Sequence, residues 1–387
     1  MGGKIFLHII ESKKKGVHSI HRELIEHPPL NYLNKKGGST AKFTDIRKFD
    51  FLVPFAKRFL NLTKLPNIWY VTKKCDLIHS AGYLILNRAP WVIDFEMNAT
   101  LAGFNTNRLN SPIAKAIIKK SLESEYCRKI MPWSEAAAKS LTNYVNSQKI
   151  EDKIEVVYPT MCVPPKIKKA KKDSSKTNFL FVGSHFLAKG GKEALKLFEV
   201  LDKKYDVDFT IISRIPTEFA SYRKRKNIHI HDFVEREKVM NDFFPKADIF
   251  LLPTHYDTYG LAMIEAMSCR VPVLSTKLFA VPEIVEDGKT GLLAPAPRVS
   301  WFNPTTYQLA YNGRQEDNWR QFNSELMRYD EKEMLKELVA NAKQLVEDSR
   351  LRKIMGRRGQ REVVSGKFSV ERRNRQLRRI YEEALGR

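Results

Sequence analysis

Two acidic residues stand in a nearly uncharged apolar stretch, THYDTYGLAMIEAMSCRVPVLST, residues 254–276. Asp257 lies three positions before Gly260, and Glu265 is the only charged residue from Thr258 to Cys269. A carboxylate in an apolar setting costs free energy unless it is paired or hydrogen-bonded. Either such an acid lies at the edge of the core, or a ligand arrives to meet it.

The spacing of apolar residues after Gly260 predicts a helix that carries Glu265 at the edge of its inward stripe. Asp257 precedes this helix and follows a strand-like run, 247–254. The free N–H groups at a helix start attract anions such as phosphate, and carboxylates accept hydrogen bonds from hydroxyls. A ligand with a phosphate between two hydroxyl-bearing groups, such as a nucleotide sugar, suits this arrangement.

The elements that must position these residues are short apolar strands alternating with helices. In the second half the predicted strands are 178–184, 207–213, 227–233, 247–254 and 271–276, with helices at 191–205 and 235–246. In the first half the predicted strands are 4–10, 75–85, 90–96, 127–134 and 153–160, with helices at 111–126 and 134–145. Such alternation is typical of parallel βαβ units with helices on both sheet faces. The sequence therefore predicts an α/β protein with two doubly wound domains.

The predicted domains are residues 1–163 and 179–365, joined by a linker at 164–178 that is rich in proline, lysine and serine. Within the second domain, 298–330 is aromatic, polar and aperiodic, and is predicted as an insertion. Residues 366–387 form a predicted basic C-terminal helix.

Composition limits the classes of function. The chain has 387 residues, and no apolar run reaches the roughly 18 residues needed to span a bilayer. Its four cysteines include no C-x-x-C pair, so neither a zinc framework nor a redox motif is expected. These features favour a cytoplasmic protein, either free or on the inner face of the membrane.

The formal net charge of +23 is distributed over both halves. It favours an anionic partner, which could be a phosphorylated substrate, an acidic membrane surface or nucleic acid, although solubility alone is an alternative. The basic amphipathic segments 49–66 and 111–129 are candidates for membrane contact or, alternatively, ordinary core-facing helices. Nucleic acid is not an expected partner, because aromatic residues do not interleave with the basic runs and no nucleic-acid motif is present.

The stretch HYDTYGLAMIEAMSCRVPVLST, followed by VPEIVEDGKTGLLAP, resembles the donor-site signature of the large retaining GT-B glycosyltransferase family. Asp257 and Glu265 match its two acids. The resemblance implies that Glu265 contacts the nucleotide ribose and that Asp257 holds hydroxyls of the transferred sugar. It also implies that the backbone around Tyr259, Gly260 and Leu261 meets the diphosphate. The implied fold is GT-B, with two Rossmann-like domains whose parallel sheets face each other across a cleft.

Two further segments carry the resemblance. FLFVGSHFLAKGGKEALKLF is similar to a strand–loop–helix whose lysine before a glycine neutralises the diphosphate, and Lys189 matches that lysine. FSVERRNRQLRRIYEEAL is similar to the closing helix that returns to the first domain. Ser184 stands where the family commonly has a phosphate-binding arginine, and Arg214 is a candidate substitute.

Other departures concern the acids and glycines of the signature. Asp257 replaces the usual glutamate and is shorter by one methylene. Arg270, Phe279 and Ala280 replace usual glycines. These changes leave open a catalytically degenerate transferase that serves as a partner subunit.

In the first domain, Asp94 and Glu96 end the predicted strand 90–96, and His79 is predicted at the end of another strand. Polar groups at strand ends could bind acceptor hydroxyls or assist proton transfer. The alternative is structural: one acid faces solvent and the other caps a turn. Gly16 is a candidate for a loop near the donor phosphates, or for a plain surface loop.

The resulting expectation is a retaining glycosyltransferase. It would move a hexose from a nucleotide-diphosphate sugar to a hydroxyl of a glycan or lipid-linked envelope acceptor. No cofactor and no metal are expected, since no D-x-D element lies where a metal-dependent transferase needs one. The alternatives are a degenerate partner subunit, a basic nucleic-acid-binding protein, and another GT-B enzyme such as an epimerase or phosphorylase.

Overall fold

A computed structural model of the chain describes residues 5–8, 19–29, 62–72, 74–162, 176–313 and 315–387. The chain divides into two compact units. Unit 1 comprises Met1–Cys162, Thr305–Asn318 and Phe368–Arg387, and unit 2 comprises Val163–Pro304 and Trp319–Lys367. The predicted insertion thus contributes to both units, and the last helix belongs to unit 1. Gly16, residues 49–61 and most of the predicted linker lie outside the described residues.

Unit 1 contains a parallel sheet of four strands. The strands of the unit are β1 (Ile5–His8), β2 (Ile68–Trp69), β3 (Leu77–Ala81), β4 (Leu84–Ile85), β5 (Trp91–Phe95) and β6 (Cys127–Pro132). The sheet order is β1-β3-β5-β6, and β2 pairs with β4 separately. Since all four strands run in the same direction, their carboxyl ends lie at one edge of the sheet.

The last helix of the chain completes the core of unit 1. The helices of this unit are Ser19–Glu26, Thr106–Leu109, Pro112–Glu123, Glu135–Val145, Gln148–Glu151, Val370–Ala384 and the 3₁₀ helix Asn98–Ala102. Leu377, Ile380, Tyr381 and Ala384 recur three or four positions apart and are buried against β3, β5 and β6 residues. Ser369 begins this helix by accepting a hydrogen bond from the Arg372 N–H.

Unit 2 has a six-stranded parallel sheet. Its strands are β7 (Thr177–Val182), β8 (Val207–Ile212), β9 (Ile228–His231), β10 (Ile249–Leu252), β11 (Val273–Thr276) and β12 (Gly291–Ala294). The order is β12-β11-β10-β7-β8-β9, so the chain starts in the middle, builds to one edge and then returns to build the other half. The order reverses between β7 and β10. Ligands of doubly wound sheets bind beyond the carboxyl ends of the strands at such a switch point.

The helices of the second half lie between and after these strands in the chain. They are Gly191–Asp202, Arg236–Lys238, Leu261–Ser268, Val281–Ile284, Gln315–Arg328, Lys332–Glu347 and Ser349–Val364, with 3₁₀ helices Thr217–Lys224 and Phe244–Lys246 and a π-helical turn Val239–Phe243. The Ser349–Val364 helix packs closely on the loop that follows Leu261–Ser268. A Cβ atom at Gly356 would lie 2.2 Å from the Arg270 carbonyl oxygen, so only glycine permits this approach.

Three predictions about elements were wrong. The predicted strand 75–85 is two strands, because Gly82 turns the chain with a φ of +74°. The segment 153–160 forms only an isolated bridge between Ile154 and Ile130, and Pro132 has no N–H with which to extend the pairing. The region 298–330 contains the helix Gln315–Arg328, whose buried Phe322 and Leu326 lie four positions apart.

The segment 111–129, one of the two candidates for membrane contact, contains the helix Pro112–Glu123. It buries Ala114, Ile118 and Leu122 in unit 1 and leaves Ile113 exposed. This is the core-facing alternative. None of the helices among the described residues is long and apolar enough to span a membrane.

Candidate functional site

The loops after β7 and β10 meet at the switch point of unit 2. The β7 loop ends at Gly190, which has a φ of +79°. A Cβ there would lie 1.9 Å from the Pro253 carbonyl oxygen in the other loop, so the contact requires glycine. This contact places Lys189 beside the residues that follow β10.

Lys189 holds the β10 loop through its side chain. Its Nζ donates to the Tyr256 carbonyl oxygen at 2.8 Å and to Asp257 Oδ2 at 2.8 Å. The Lys189 and Asp257 side chains are 16% and 13% exposed, so water screens this ion pair only partly. The sequence predicted both residues for the site, and the structure brings them into contact.

The other oxygen of Asp257 organises the start of the helix Leu261–Ser268. Oδ1 accepts hydrogen bonds from the N–H groups of Gly260 at 2.7 Å and Tyr259 at 3.2 Å. Gly260, with a φ of +92°, is the N-cap. The N–H groups of Tyr259 and Gly260, which the resemblance assigned to the diphosphate, thus already donate to Asp257. Those of Leu261 and Ala262 begin the helix and have no intrahelical acceptor.

Glu265 lies one turn into the same helix and is paired with Arg236. The Arg236 Nε donates to Glu265 Oε1 at 2.6 Å. The Glu265 side chain is 11% exposed and that of Arg236 is 44% exposed. The carboxylate is therefore at the edge of the core, as the sequence predicted. Arg236 was missed, although the expected cost of an unpaired carboxylate was a signal that a cation lies nearby.

Aromatic residues pack behind the Lys189–Asp257 pair. The Tyr256 ring lies 5.5 Å from Trp301, 5.8 Å from Phe302 and 5.7 Å from Trp319, measured between ring centroids. Lys189 Nζ lies 5.5 Å from the centre of the Tyr256 ring. Part of the predicted insertion thus forms an apolar wall that limits how far the β10 loop can move.

His255 joins the same loop to the insertion. Its Nδ1 donates to the Val299 carbonyl oxygen at 2.7 Å, and its Nε2 lies 3.3 Å from Glu193 Oε2. Burial alone would raise the pKa of Glu193, but His255 and Lys192 outweigh that effect and hold the pKa below its ordinary value. This buried network fixes the backbone immediately before Asp257.

The remaining donor-site candidates are less constrained. Ser184 is exposed in the loop after β7, and Arg214 is exposed directly after β8, the neighbouring strand. Both therefore lie beyond the carboxyl ends of their strands, as Lys189 does. Neither makes a described contact with Lys189 or Asp257, so a second cation beside the pair is not evident among the described residues.

Two of the three residues that replace glycines adopt the left-handed backbone conformation that glycine favours. Arg270 has a φ of +60° and Phe279 a φ of +45°, whereas Ala280 is right-handed. Left-handed conformations cost roughly 1–2 kcal/mol for such residues. Other contacts hold both residues in place: the Phe279 ring stacks on Phe302 with centroids 4.4 Å apart, and Arg270 Nε donates to Gln360 Oε1 at 2.6 Å.

In unit 1, Asp94 is buried between two histidines. Its Oδ1 lies 3.1 Å from His21 Nε2 and its Oδ2 lies 3.0 Å from His79 Nε2. His79 is at the centre of β3 rather than at a strand end, so that prediction was wrong. The second nitrogen of His79, Nδ1, is 2.7 Å from the Tyr381 hydroxyl on the last helix. Burial alone would raise the pKa of Asp94, but the charges and hydrogen bonds of the two histidines outweigh it and lower that pKa.

The cavity beside Asp94 is small. It has a volume of about 30 Å³ and is lined by Ile20, Leu24, Trp133 and Arg373 among others. A cavity of this size has room for one or two water molecules and none for a sugar ring. Asp94 and His79 thus form a structural network, and Glu96, half-buried just after β5, is the more accessible of the three unit 1 candidates.

Within the described parts of the chain, no group of three or more histidine, cysteine, aspartate or glutamate residues is arranged to hold a metal ion. The candidate site of unit 2 contains the partly buried ammonium group of Lys189, a helix start and two carboxylates. The chemistry of this combination suits an anion that also carries hydroxyl groups.

Comparison with known proteins identifies the class. Residues 164–321 match the family described as glycosyl transferases group 1. An uncharacterised 41.2 kDa protein in the cps region of Klebsiella pneumoniae is 30% identical over 152 residues, which cover 37% of this chain and 42% of that protein. An uncharacterised glycosyltransferase of Methanocaldococcus jannaschii is 24% identical over 357 residues, or 86% of this chain and 84% of that protein.

Among solved structures, Anabaena HepE in complex with UDP and glucose is similar, with a TM-score of 0.58 at 13% identity over 98% of this chain and 100% of that one. At such identity the likeness shows the fold alone. The match to the Klebsiella protein spans less than half of its length. Together these findings confirm the resemblance stated from the sequence: the chain has a GT-B fold and carries a group 1 glycosyltransferase domain.

Proposed function

We propose that the protein transfers a hexose from a nucleoside-diphosphate sugar to a hydroxyl of a glycan or lipid-linked acceptor, with retention and without a metal ion. The observation that carries this proposal is the contact of Lys189, Asp257 and the start of the Leu261–Ser268 helix at the switch point of unit 2. The group 1 domain supports a nucleotide-sugar donor, as does the fold shared with HepE, a protein seen with UDP and glucose.

Lys189 and the helix start would bind the diphosphate. When the bond between the sugar C1 and the phosphate oxygen breaks, negative charge increases on that oxygen. The acceptor oxygen forms the new bond to C1 on the same face, and its proton passes to the departing phosphate oxygen. A fixed ammonium group and fixed N–H groups stabilise the developing charge without reorganising, and removing one such donor typically costs about 10²–10³ in rate. They supply the positive charge that a divalent cation supplies in metal-dependent transferases.

The two acids would act at opposite ends of the diphosphate. Glu265 Oε1 accepts a hydrogen bond from Arg236, and this contact would hold the carboxylate in place to accept a hydrogen bond from a ribose hydroxyl. Asp257 positions Lys189 and the helix start. On donor binding, Lys189 would contact the diphosphate, and Asp257 Oδ2 would accept a hydrogen bond from the transferred sugar.

The acceptor is proposed to be a glycan or lipid-linked hydroxyl because the resemblance implies that class. The net charge of +23 supports an anionic environment for it, such as a phosphate-linked carrier or an acidic membrane surface. Glu96 is the unit 1 residue that we propose for acceptor contact.

The test begins with thermal-shift measurements against UDP-, GDP- and ADP-sugars, since a ligand of the folded state raises its melting temperature. The donor that binds is then incubated with hydroxyl acceptors in the presence of EDTA. We expect release of nucleoside diphosphate that continues in EDTA and a product with the anomeric configuration of the donor. Binding without turnover on any acceptor would favour the degenerate subunit, and loss of turnover in EDTA would contradict the metal-independent mechanism.

A further inference from the structure

The helix Ser349–Val364 presents a continuous cationic stripe to solvent. Arg350, Ile354, Arg357, Arg361 and Val364 follow one another at intervals of four, three, four and three residues. This spacing keeps them on one face through four turns. Lys353 and Arg358 flank the stripe and are exposed.

The opposite face of the helix fixes this orientation. Met355, Gly356, Gly359 and Val363 are buried, and a Cβ at Gly359 would lie 3.1 Å from Met267 Cγ on the helix that carries Glu265. The close approach at two glycines leaves no room for the helix to rotate. The cationic stripe therefore faces outward on the back of the candidate donor site.

The five cations of this face have no ion-pair or hydrogen-bond partner for their side chains in the part of the chain that the structure describes: Arg350, Lys353, Arg357, Arg358 and Arg361. The one acid of the helix, Glu362, lies off the stripe and accepts a hydrogen bond from the Lys367 N–H.

The last helix of the chain is different, because its exposed arginines are interleaved with acids. Arg378 is 3.0 Å from Glu382, Arg379 is 2.6 Å from Glu383, and Arg375 pairs with Glu371. The absence of such acids on the Ser349–Val364 stripe leaves its charge uncompensated by the described residues.

We propose that the Ser349–Val364 stripe docks on the surface of an anionic phospholipid bilayer. Charge complementarity supports an anionic partner, and the apolar residues of the stripe indicate which one. Ile354 and Val364 are 36% and 57% exposed among the arginines. At a bilayer these two side chains enter the boundary between headgroups and acyl chains and are removed from water. On nucleic acid they would face phosphates and add no binding free energy. This proposal does not depend on the proposed sugar transfer.

The test is co-sedimentation of the full chain with vesicles of phosphatidylcholine mixed with phosphatidylglycerol, compared with pure phosphatidylcholine. Near an anionic surface each arginine contributes about fivefold in partitioning, so Arg350→Gln, Arg357→Gln and Arg361→Gln together should weaken binding roughly 100-fold. The matched control is a triple glutamine variant of Arg372, Arg375 and Arg378, which removes the same charge from exposed positions of the last helix. It should retain most of the binding.

A second variant, Ile354→Ser with Val364→Ser, separates lipid from nucleic acid. It should weaken vesicle binding several-fold because apolar area is lost from the interface, and it should not change binding to a short RNA duplex. The proposal is overturned if the wild-type protein does not co-sediment with anionic vesicles. It is also overturned if the stripe variant and its control bind equally, or if RNA is bound through the stripe while vesicles are not. Urea unfolding of each variant, equal to wild type, establishes that the fold is intact.

Discussion

Replacing Arg236 by glutamine tests how Glu265 is held. Arg236 is 44% exposed, so its ion pair contributes at most about 1 kcal/mol to stability after solvent screening. Glu265 is 11% exposed and receives a charge-assisted hydrogen bond at 2.6 Å, so its orientation depends on that contact. Arg236→Gln should therefore leave the urea midpoint nearly unchanged and weaken donor binding about three- to tenfold, or roughly 0.6–1.4 kcal/mol.

The assay is isothermal titration with the nucleotide sugar that gives the largest thermal shift. A double-mutant cycle combines Arg236→Gln with Glu265→Gln, and residues in direct contact couple by about 0.5–3 kcal/mol. We expect the double variant to bind no more weakly than Glu265→Gln alone, because Arg236 acts through the carboxylate. Lys238→Gln, which breaks an exposed ion pair with Asp242 on the same segment, is the control and should bind normally. Fully additive losses, or tighter binding by Arg236→Gln, would refute the positioning role.

Three further predictions concern the loops and unit 1. Lys189→Met should lower kcat about 10²-fold because the leaving group loses its cation, whereas Lys196→Met, at a half-buried position on the following helix, should leave kcat unchanged in steady-state assays. Gly190→Ala should destabilise the protein by about 3 kcal/mol in urea unfolding, since its 1.9 Å clash adds to the backbone strain, and Gly288→Ala, with a similar φ of +76° and open space, by only about 1 kcal/mol. The pKa of Asp94 is lowered in the folded state, so its charge stabilises the fold above the unfolded pKa of about 3.9, and that contribution is lost as the pH falls through the folded pKa. Asp94→Asn should therefore lower the free energy of unfolding at neutral pH, with a difference from wild type that shrinks below about pH 4; a difference independent of pH would contradict the assignment.

Much of the fold could be predicted from the spacing of apolar residues and from composition. The strands of unit 2 have apolar runs bounded by polar turns, and their alternation with helices specified parallel pairing. The segment 153–160 shows the limit, since its sequence reads as a strand, whereas it forms a single bridge beside a neighbour whose Pro132 has no N–H to donate. Residues 305–318 show a second limit of prediction from sequence. They belong to unit 1 through their tertiary contacts, and no pattern in their own sequence indicates this.

The part of the candidate site whose residues lie close together in the sequence was predictable. Asp257, Gly260 and Glu265 lie within one strand–loop–helix, so their spacing fixes their relation. The contact of Lys189 with Asp257 was implied by family resemblance and depends on strand order, because β7 and β10 are neighbours in the sheet and distant in the chain. Arg236 contacts Glu265 across 29 positions with no motif to indicate it. Pairings of that kind are set by packing.

Glu265→Ala gives the most direct test of the central claim that unit 2 binds a nucleoside-diphosphate sugar at this switch point. The measurement is the dissociation constant of the preferred nucleotide sugar for wild type, Glu265→Ala and the control Glu237→Ala, an exposed acid beside Arg236. Loss of charge-assisted hydrogen bonds worth about 1.5–3 kcal/mol predicts affinity weaker by roughly 10- to 150-fold for Glu265→Ala and unchanged for the control. Equal affinity in all three proteins would show that the donor binds elsewhere.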